Sequence, residues 1–252
     1  LVQHRVGMGH PAGLHRRGSR HGHRRRYRAT ARKAVAKGQE MVGRAPTPEE
    51  GAEMKAMSDK IRMLARATAV LVVIGVGGIG MNAVQGAKVS GAKHIVAVDP
   101  NEFKRAIAPT FGATHTATDA GAALELVKEL TWGVMADRVV LTPGVVPPDL
   151  IMIAMMLLRK GGTCVLTGMA KISDLMVPIS LPDMVSSCKT LKGVLYGGMN
   201  PRDAMPKLLS MYEAGTIKLD ELVTRTYKLD DINEAMRDLR AGDNIRGVIA
   251  FE

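Results

Sequence analysis

The sequence predicts an α/β fold built on a doubly wound parallel sheet of six strands, ordered 3-2-1-4-5-6. Three observations predict it. From Ala69 onward, short apolar runs alternate with amphipathic stretches of helical length. The first run, AVLVVI, enters glycines at Gly75, Gly77, Gly78 and Gly80 and then a helix-like segment. A second apolar run, His94 to Val98, ends on an acid, Asp99.

The elements follow in order. Val70 to Ile74 reads as the first strand and residues 81–90 as the first helix. After the second strand, Asn101 to Thr110 reads as a short helix whose last turn Pro109 should disturb. The third strand is expected near Thr114 to Thr116, the next helix over Asp119 to Leu130, and the fourth strand over Ala136 to Thr142. Asp149 to Arg159 reads as a buried helix ended by Gly161 and Gly162. Thr163 to Gly168 and Thr190 to Tyr196 are the expected fifth and sixth strands. Pro201 to Gly215 is a helix, Leu222 to Lys228 a strand, Asp230 to Gly242 a helix with its cap, and Arg246 to Phe251 a final strand. These last elements exceed what the sheet needs and suggest a piece of a second domain. The expected division is 1–46 basic and disordered, 47–68 a helical lead-in, 69–200 the sheet domain and 201–252 the added piece.

The glycines carry a chemical expectation. Gly75 permits a tight turn, Gly77 a close backbone approach to a diphosphate, and Gly80 close packing of helix on strand. The helix start offers unpaired N–H groups and partial positive charge to phosphates. Asp99 follows Gly80 by 19 residues. It can accept the ribose hydroxyls of an adenosine. A carboxylate there repels a 2′-phosphate, so NAD is expected over NADP, with Lys104 and Arg105 as the nearby cations that weigh the other way. A plain glycine turn in a parallel-sheet domain is the alternative.

Charge separates the chain into two parts. The net charge is +11, and residues 1–66 hold 16 Lys and Arg against 5 Asp and Glu. The remainder is balanced, so the sheet domain has no basic bias toward nucleic acid. Residues 1–28 contain eight arginines, five histidines and no acid. Such a segment cannot bury a core. Phosphate-backbone binding, a transit peptide and an out-of-frame or fragment origin compete as explanations. The third fits the Arg, Gly, His and Pro dominance and the initial leucine. Residues 47–68 read as a helix with Thr47 and Glu50 as a capping box and Met54, Met57, Ile61 and Leu64 as one face. Cys164 and Cys188 form no metal pair or disulfide framework. Cys164 is expected as a small core residue and Cys188 as an inert loop thiol. The apolar run Leu150 to Leu158 is too short to span a bilayer, so a cytoplasmic protein is expected.

Four stretches resemble the zinc-containing medium-chain alcohol dehydrogenases, closest to their bacterial nicotinoprotein and formaldehyde-type branch. They are IGVGGIGMNAVQGAKVSGAKHIVAVDPNEFKR, LLRKGGTCVLTGMA, TLKGVLYGGMNPRDAMPKLLSMYEAGTIKLDELVTRTYKLDDINEAM and NIRGVIAF. The resemblance implies a Rossmann domain. It implies that Asp99 binds the adenosine ribose with Lys104 beside it, and that Ile79 and the Gly77 to Gly80 backbone flank diphosphate and nicotinamide. Backbone near Thr167, Val194 and Tyr196 would hold the carboxamide, and Arg246 would reach the diphosphate. It further implies dimers paired through the sixth strand. The family carries its catalytic zinc on an N-terminal domain, held by cysteines and a histidine. Here no cysteine precedes Cys164, and His4, His10, His15, His21 and His23 show no HxxxH spacing. Zinc ligands are therefore expected to be absent, together with the N-terminal catalytic domain. The loop VLTPGVVPPD, with Pro143, Pro147 and Pro148, departs from the family pattern.

The resulting expectation is hydride transfer between an alcohol, or an aldehyde adduct, and NAD, with the chain keeping the cofactor half and turning over little alone. A non-catalytic NAD-binding or dimerisation module is the alternative. Nucleic-acid binding through the basic N-terminus is a weaker one.

Overall fold

The computed structural model describes residues 47–49, 51–53, 55–56, 69–171, 173–174 and 176–251. The expectations for residues 1–46, and the Met54, Met57, Ile61 and Leu64 face, lie outside the described residues. Pro48, Glu49, Gly51 to Glu53, Lys55 and Ala56 are helical. The described residues from 69 onward belong to one compact unit.

That unit is a six-stranded parallel sheet in the expected order β3-β2-β1-β4-β5-β6. Its strands are β1 (Val70–Ile74), β2 (His94–Val98), β3 (His115–Ala117), β4 (Ala136–Leu141), β5 (Leu158–Leu166) and β6 (Thr190–Gly193). The crossover helices are α1 (Gly78–Val89), α2 (Glu102–Phe111), α3 (Ala120–Thr131), α4 (Pro148–Met156) and α5 (Leu181–Ser186). After β6 come α6 (Pro201–Glu213), β7 (Val223–Tyr227), α7 (Ile232–Ala241) and β8 (Arg246–Ile249). Strands β7 and β8 pair in parallel as a sheet of their own.

Alternation along the central strands explains why the chain winds on both faces. Val70, Val72 and Ile74 of β1 join Val96, Val98, Leu141 and the apolar sides of α3 and α4 in one core. Val73 of the same strand turns the other way, onto Met81 and Val84 of α1 and Phe111 of α2. A strand apolar on both faces needs helices on both faces. Phe111 is fully buried, so truncating it to alanine would cost about 3–5 kcal/mol. Side chains set the helix starts. Asp119 Oδ1 accepts from Ala122 N at 2.9 Å and Asn101 Oδ1 from Lys104 N at 3.4 Å. That bond to the Ala122 N–H is the main reason the Asp119 carboxyl lies below its usual pKa.

Two expectations are corrected. Pro109 does not disturb α2, which runs through it to Phe111 and ends on Gly112 in the left-handed region. Pro109 lies on the exposed side, where solvent can satisfy the carbonyl it leaves without a donor. Gly161 and Gly162 do not end the buried helix. α4 stops at Met156, and both glycines lie inside β5. There the pairing jumps from Ala136 opposite Leu158 to Arg138 opposite Thr163. Gly161, at φ 71°, absorbs that bulge, and its N–H donates to Ser187 O at 2.7 Å. Among the described residues no helix is long and apolar enough to cross a membrane.

Candidate functional site

Register brings the strand ends into line. Ile74 pairs with Val98 on one side and Leu141 on the other. Leu141 pairs with Leu166, and Leu166 with Gly193. The residues that follow, Gly75, Asp99, Thr142, Thr167 and Val194, therefore lie along one edge of the sheet. The strand order reverses between β1 and β4. A crevice opens at such a point beyond the strand C-termini.

The glycine turn stands at its centre. Gly75 has φ 87°, and a Cβ there would lie 2.8 Å from Pro143 N. The Thr142 hydroxyl, buried beneath the turn, faces the carbonyls of both Gly75 and Ile74. A Cβ on Gly80 would stand 1.9 Å from the Gly75 carbonyl oxygen, so the start of α1 rests directly on the turn. Gly77 differs, because a Cβ there would meet nothing within 4 Å. The chain itself does not require glycine at that position; an approaching ligand would. Gly77 is the N-cap of α1 and no side chain caps it. The first-turn N–H groups of a helix have no partner within the helix. Gly78 touches the far end of the chain. A Cβ on it would lie 3.3 Å from Ile245 O and 3.4 Å from Arg246 Nε.

Asp99 is buried and tied to this turn. Its Oδ2 accepts from Val76 N at 3.0 Å and its Oδ1 from Asn101 N at 3.0 Å. Each oxygen keeps a lone pair for another donor. The two neighbouring cations are turned to other uses. Arg105 Nη1 donates to the carbonyls of Asp99 and Pro100, both at 2.7 Å. Lys104 Nζ lies against Gly242, 2.9 Å from where a Cβ would stand. That glycine ends α7, where helix carbonyls favour a cation.

The other end of the crevice is more open. Thr167 gives both its N–H and its hydroxyl to Leu141 O, at 3.0 and 2.9 Å. Val194 N donates to Leu166 O at 2.9 Å. Ile79 is 59% exposed and Tyr196 82%. Tyr196 sits at φ 48°, at the head of a 3-10 turn through Gly198, so β6 ends earlier than expected, at Gly193. The structure thus brings Gly75, Gly77, Gly78, Gly80, Asp99 and Arg246 together and sets Thr167 and Val194 along the same edge. Lys104 lies to the side, over Gly242.

Sequence reasoning missed the residues that shape the turn from below. Thr142 and Pro143 hold Gly75, and a Cβ on Gly168 would stand 2.2 Å from Pro143 O. The proline loop is thereby fastened to the ends of β1 and β5, with Val145 bridging Met169. A threonine just past an apolar strand was the available signal. Cys164 is fully buried, and burial pushes its thiol up to about 12, as suits a core residue. Cys188 is exposed. Among the described residues no three His, Cys, Asp or Glu side chains meet as a metal cage. The described donors do not fit a catalytic zinc.

Comparison with known proteins agrees with this geometry. Residues 78–214 match the family model described as zinc-binding dehydrogenase. The chain is 49% identical over 184 residues to an NDMA-dependent alcohol dehydrogenase of Amycolatopsis methanolica, across 73% of this chain and 50% of the relative. It is 44% identical over 179 residues to alcohol dehydrogenase B of Mycobacterium tuberculosis, across 71% and 48% respectively. The benzyl alcohol dehydrogenase of Acinetobacter calcoaceticus superposes with a TM-score of 0.67 at 27% identity, over 73% of this chain and 50% of that one. The chain spans about half the length of the curated relatives it matches.

Proposed function

The chain belongs to the zinc-binding dehydrogenase family, and from that premise we propose that it is the cofactor-binding half of an NAD-dependent alcohol dehydrogenase. The reaction is hydride transfer between an alcohol, or an aldehyde adduct, and nicotinamide. The observation that carries the reading is the buried Asp99 carboxylate, 3.0 Å from Val76 N inside the glycine turn, beside an open Gly77. That arrangement fits an adenosine ribose next to a diphosphate.

Each role belongs to a named group. Asp99 accepts the ribose hydroxyls through its remaining lone pairs. The uncapped start of α1, at Gly77 and Gly78, faces the diphosphate with its N–H groups and its dipole. Arg246 adds a full positive charge at the same turn. Ile79 flanks diphosphate and nicotinamide, and backbone near Thr167, Val194 and Tyr196 orients the carboxamide. Gly75 and Gly80 keep the turn tight enough for this. When bound, the nicotinamide supplies the hydride acceptor. Because the described donors do not fit zinc, little turnover is expected from these residues alone.

NAD is preferred over NADP on two grounds. Asp99 would repel a 2′-phosphate, and Arg105 is committed to the carbonyls of Asp99 and Pro100. We assign 69–200 to the cofactor domain and 201–252 to a piece of the substrate domain. Homodimers through β6 also belong to this proposal. That strand is the sheet edge, with Leu195 and Tyr196 exposed beside it. The two free thiols suit the reducing cytoplasm.

The test is titration of the full chain with NADH and NADPH, followed by NADH production from ethanol and benzyl alcohol. Binding of NADH with NADPH at least about tenfold weaker supports the reading. Robust alcohol turnover would overturn the limit to a cofactor half.

A further inference from the structure

Arg246 stands at the start of a short, exposed strand, so something else must fix it. The turn before it is tied from behind by polar groups. Arg225 Nη1 donates to Asp238 Oδ2 at 2.5 Å, and the Tyr227 hydroxyl donates to the same oxygen at 2.9 Å. Asn244 Nδ2 donates to the Tyr227 hydroxyl at 3.1 Å. Asp238, Tyr227 and Asn244 are all buried. The next residue is tied separately, since Ile245 N donates to Thr224 Oγ1 at 2.9 Å. The residue after that is Arg246, with its Nε 3.4 Å from a Cβ position on Gly78. Three consecutive residues therefore run from a buried network to the head of α1.

A mobile turn would lose backbone entropy on meeting a ligand, and a turn already fixed avoids that loss.

We propose that Arg225, Asp238, Tyr227 and Asn244 form a positioning network that holds Arg246 at the first turn of α1, where its guanidinium meets the diphosphate of a dinucleotide. The proposal rests on the cofactor reading above. The four residues touch no ligand themselves. They act through Arg246, so their removal should be felt by the diphosphate and not by the adenosine.

The experiment measures the affinities of the full chain for adenosine, ADP-ribose and NADH, in wild type, Tyr227→Phe, Arg246→Ala and the double variant. Tyr227→Phe removes the hydroxyl that joins Asp238 to Asn244 and keeps the ring. It should weaken ADP-ribose and NADH about five- to tenfold and leave adenosine within about twofold. In the Arg246→Ala background the same change should cost less than about twofold. Equal weakening of adenosine would overturn the proposal, as would an undiminished effect without Arg246, or no effect of Tyr227→Phe. If thermal unfolding finds Tyr227→Phe unfolded, Arg225→Gln replaces it, since it removes the exposed-side donor to Asp238, with the same pattern required. Wild type that binds neither ADP-ribose nor NADH would instead sink the cofactor reading, and this proposal with it.

Discussion

The two ends of the crevice are built differently. At the β1–β2 end, Asp99 is buried, both its oxygens are hydrogen-bonded, and Gly75 and Gly80 are pressed against backbone. At the β5–β6 end, Met169, Leu195 and Tyr196 lie open, and β6 is followed by a 3-10 turn. The difference teaches what this unit does for itself. The turn and the acid are held by its own core and hydrogen bonds. The open end is held only by the bonds of Thr167 to Leu141 and of Val194 to Leu166, and its side chains face solvent.

The strongest way to break that contrast is to attack the closed end. Gly80→Ala places a Cβ 1.9 Å from the Gly75 carbonyl oxygen, where backbone cannot yield cheaply. A loss of about 3 kcal/mol or more in urea unfolding is expected. Asp99→Asn comes next. It removes the charge and one acceptor from an atom pair serving Val76 and Asn101. We expect NADH affinity to fall about tenfold or more, with about 1–3 kcal/mol of stability lost. Gly77→Ala separates binding from folding. Stability should stay within about 0.5 kcal/mol because the new methyl meets nothing, while affinity for ADP-ribose falls several-fold. At the open end, Tyr196→Ala should leave the melting temperature unchanged, since the ring is 82% exposed.

A further small effect concerns pH. The hydrogen bond from Lys189 holds the Asp183 carboxyl below its usual value of 3.8. A folded-state pKa lowered in this way stabilises above the unfolded pKa. That contribution fades as pH falls from about 4 through the lower folded value. Asp183→Asn should remove this part of the acid sensitivity in unfolding curves recorded between pH 5 and pH 2.

Much of the closed end was legible because its signals are local. The strand AVLVVI, the glycines and Asp99 fall within about thirty residues, and their spacing alone implies turn, helix and acid. The sheet order followed from the same alternation. Other features were not legible for physical reasons. Gly161 and Gly162 look like a helix stop, but a bulge in β5 also needs a residue with positive φ. Pro109 is a helix breaker by residue type, yet its position on the exposed side of α2 makes it tolerable. The contact of Arg246 with Gly78 joins residues far apart in the chain, and only the resemblance pointed to it. Its support from Tyr227, Asp238 and Asn244 leaves no mark in local spacing at all.

Titration of the full chain with NADH and with NADPH tests the central claim most directly. Saturable NADH binding is predicted, at least about tenfold tighter than NADPH and largely lost in Asp99→Asn. No NADH binding, or tighter binding of NADPH, would contradict it.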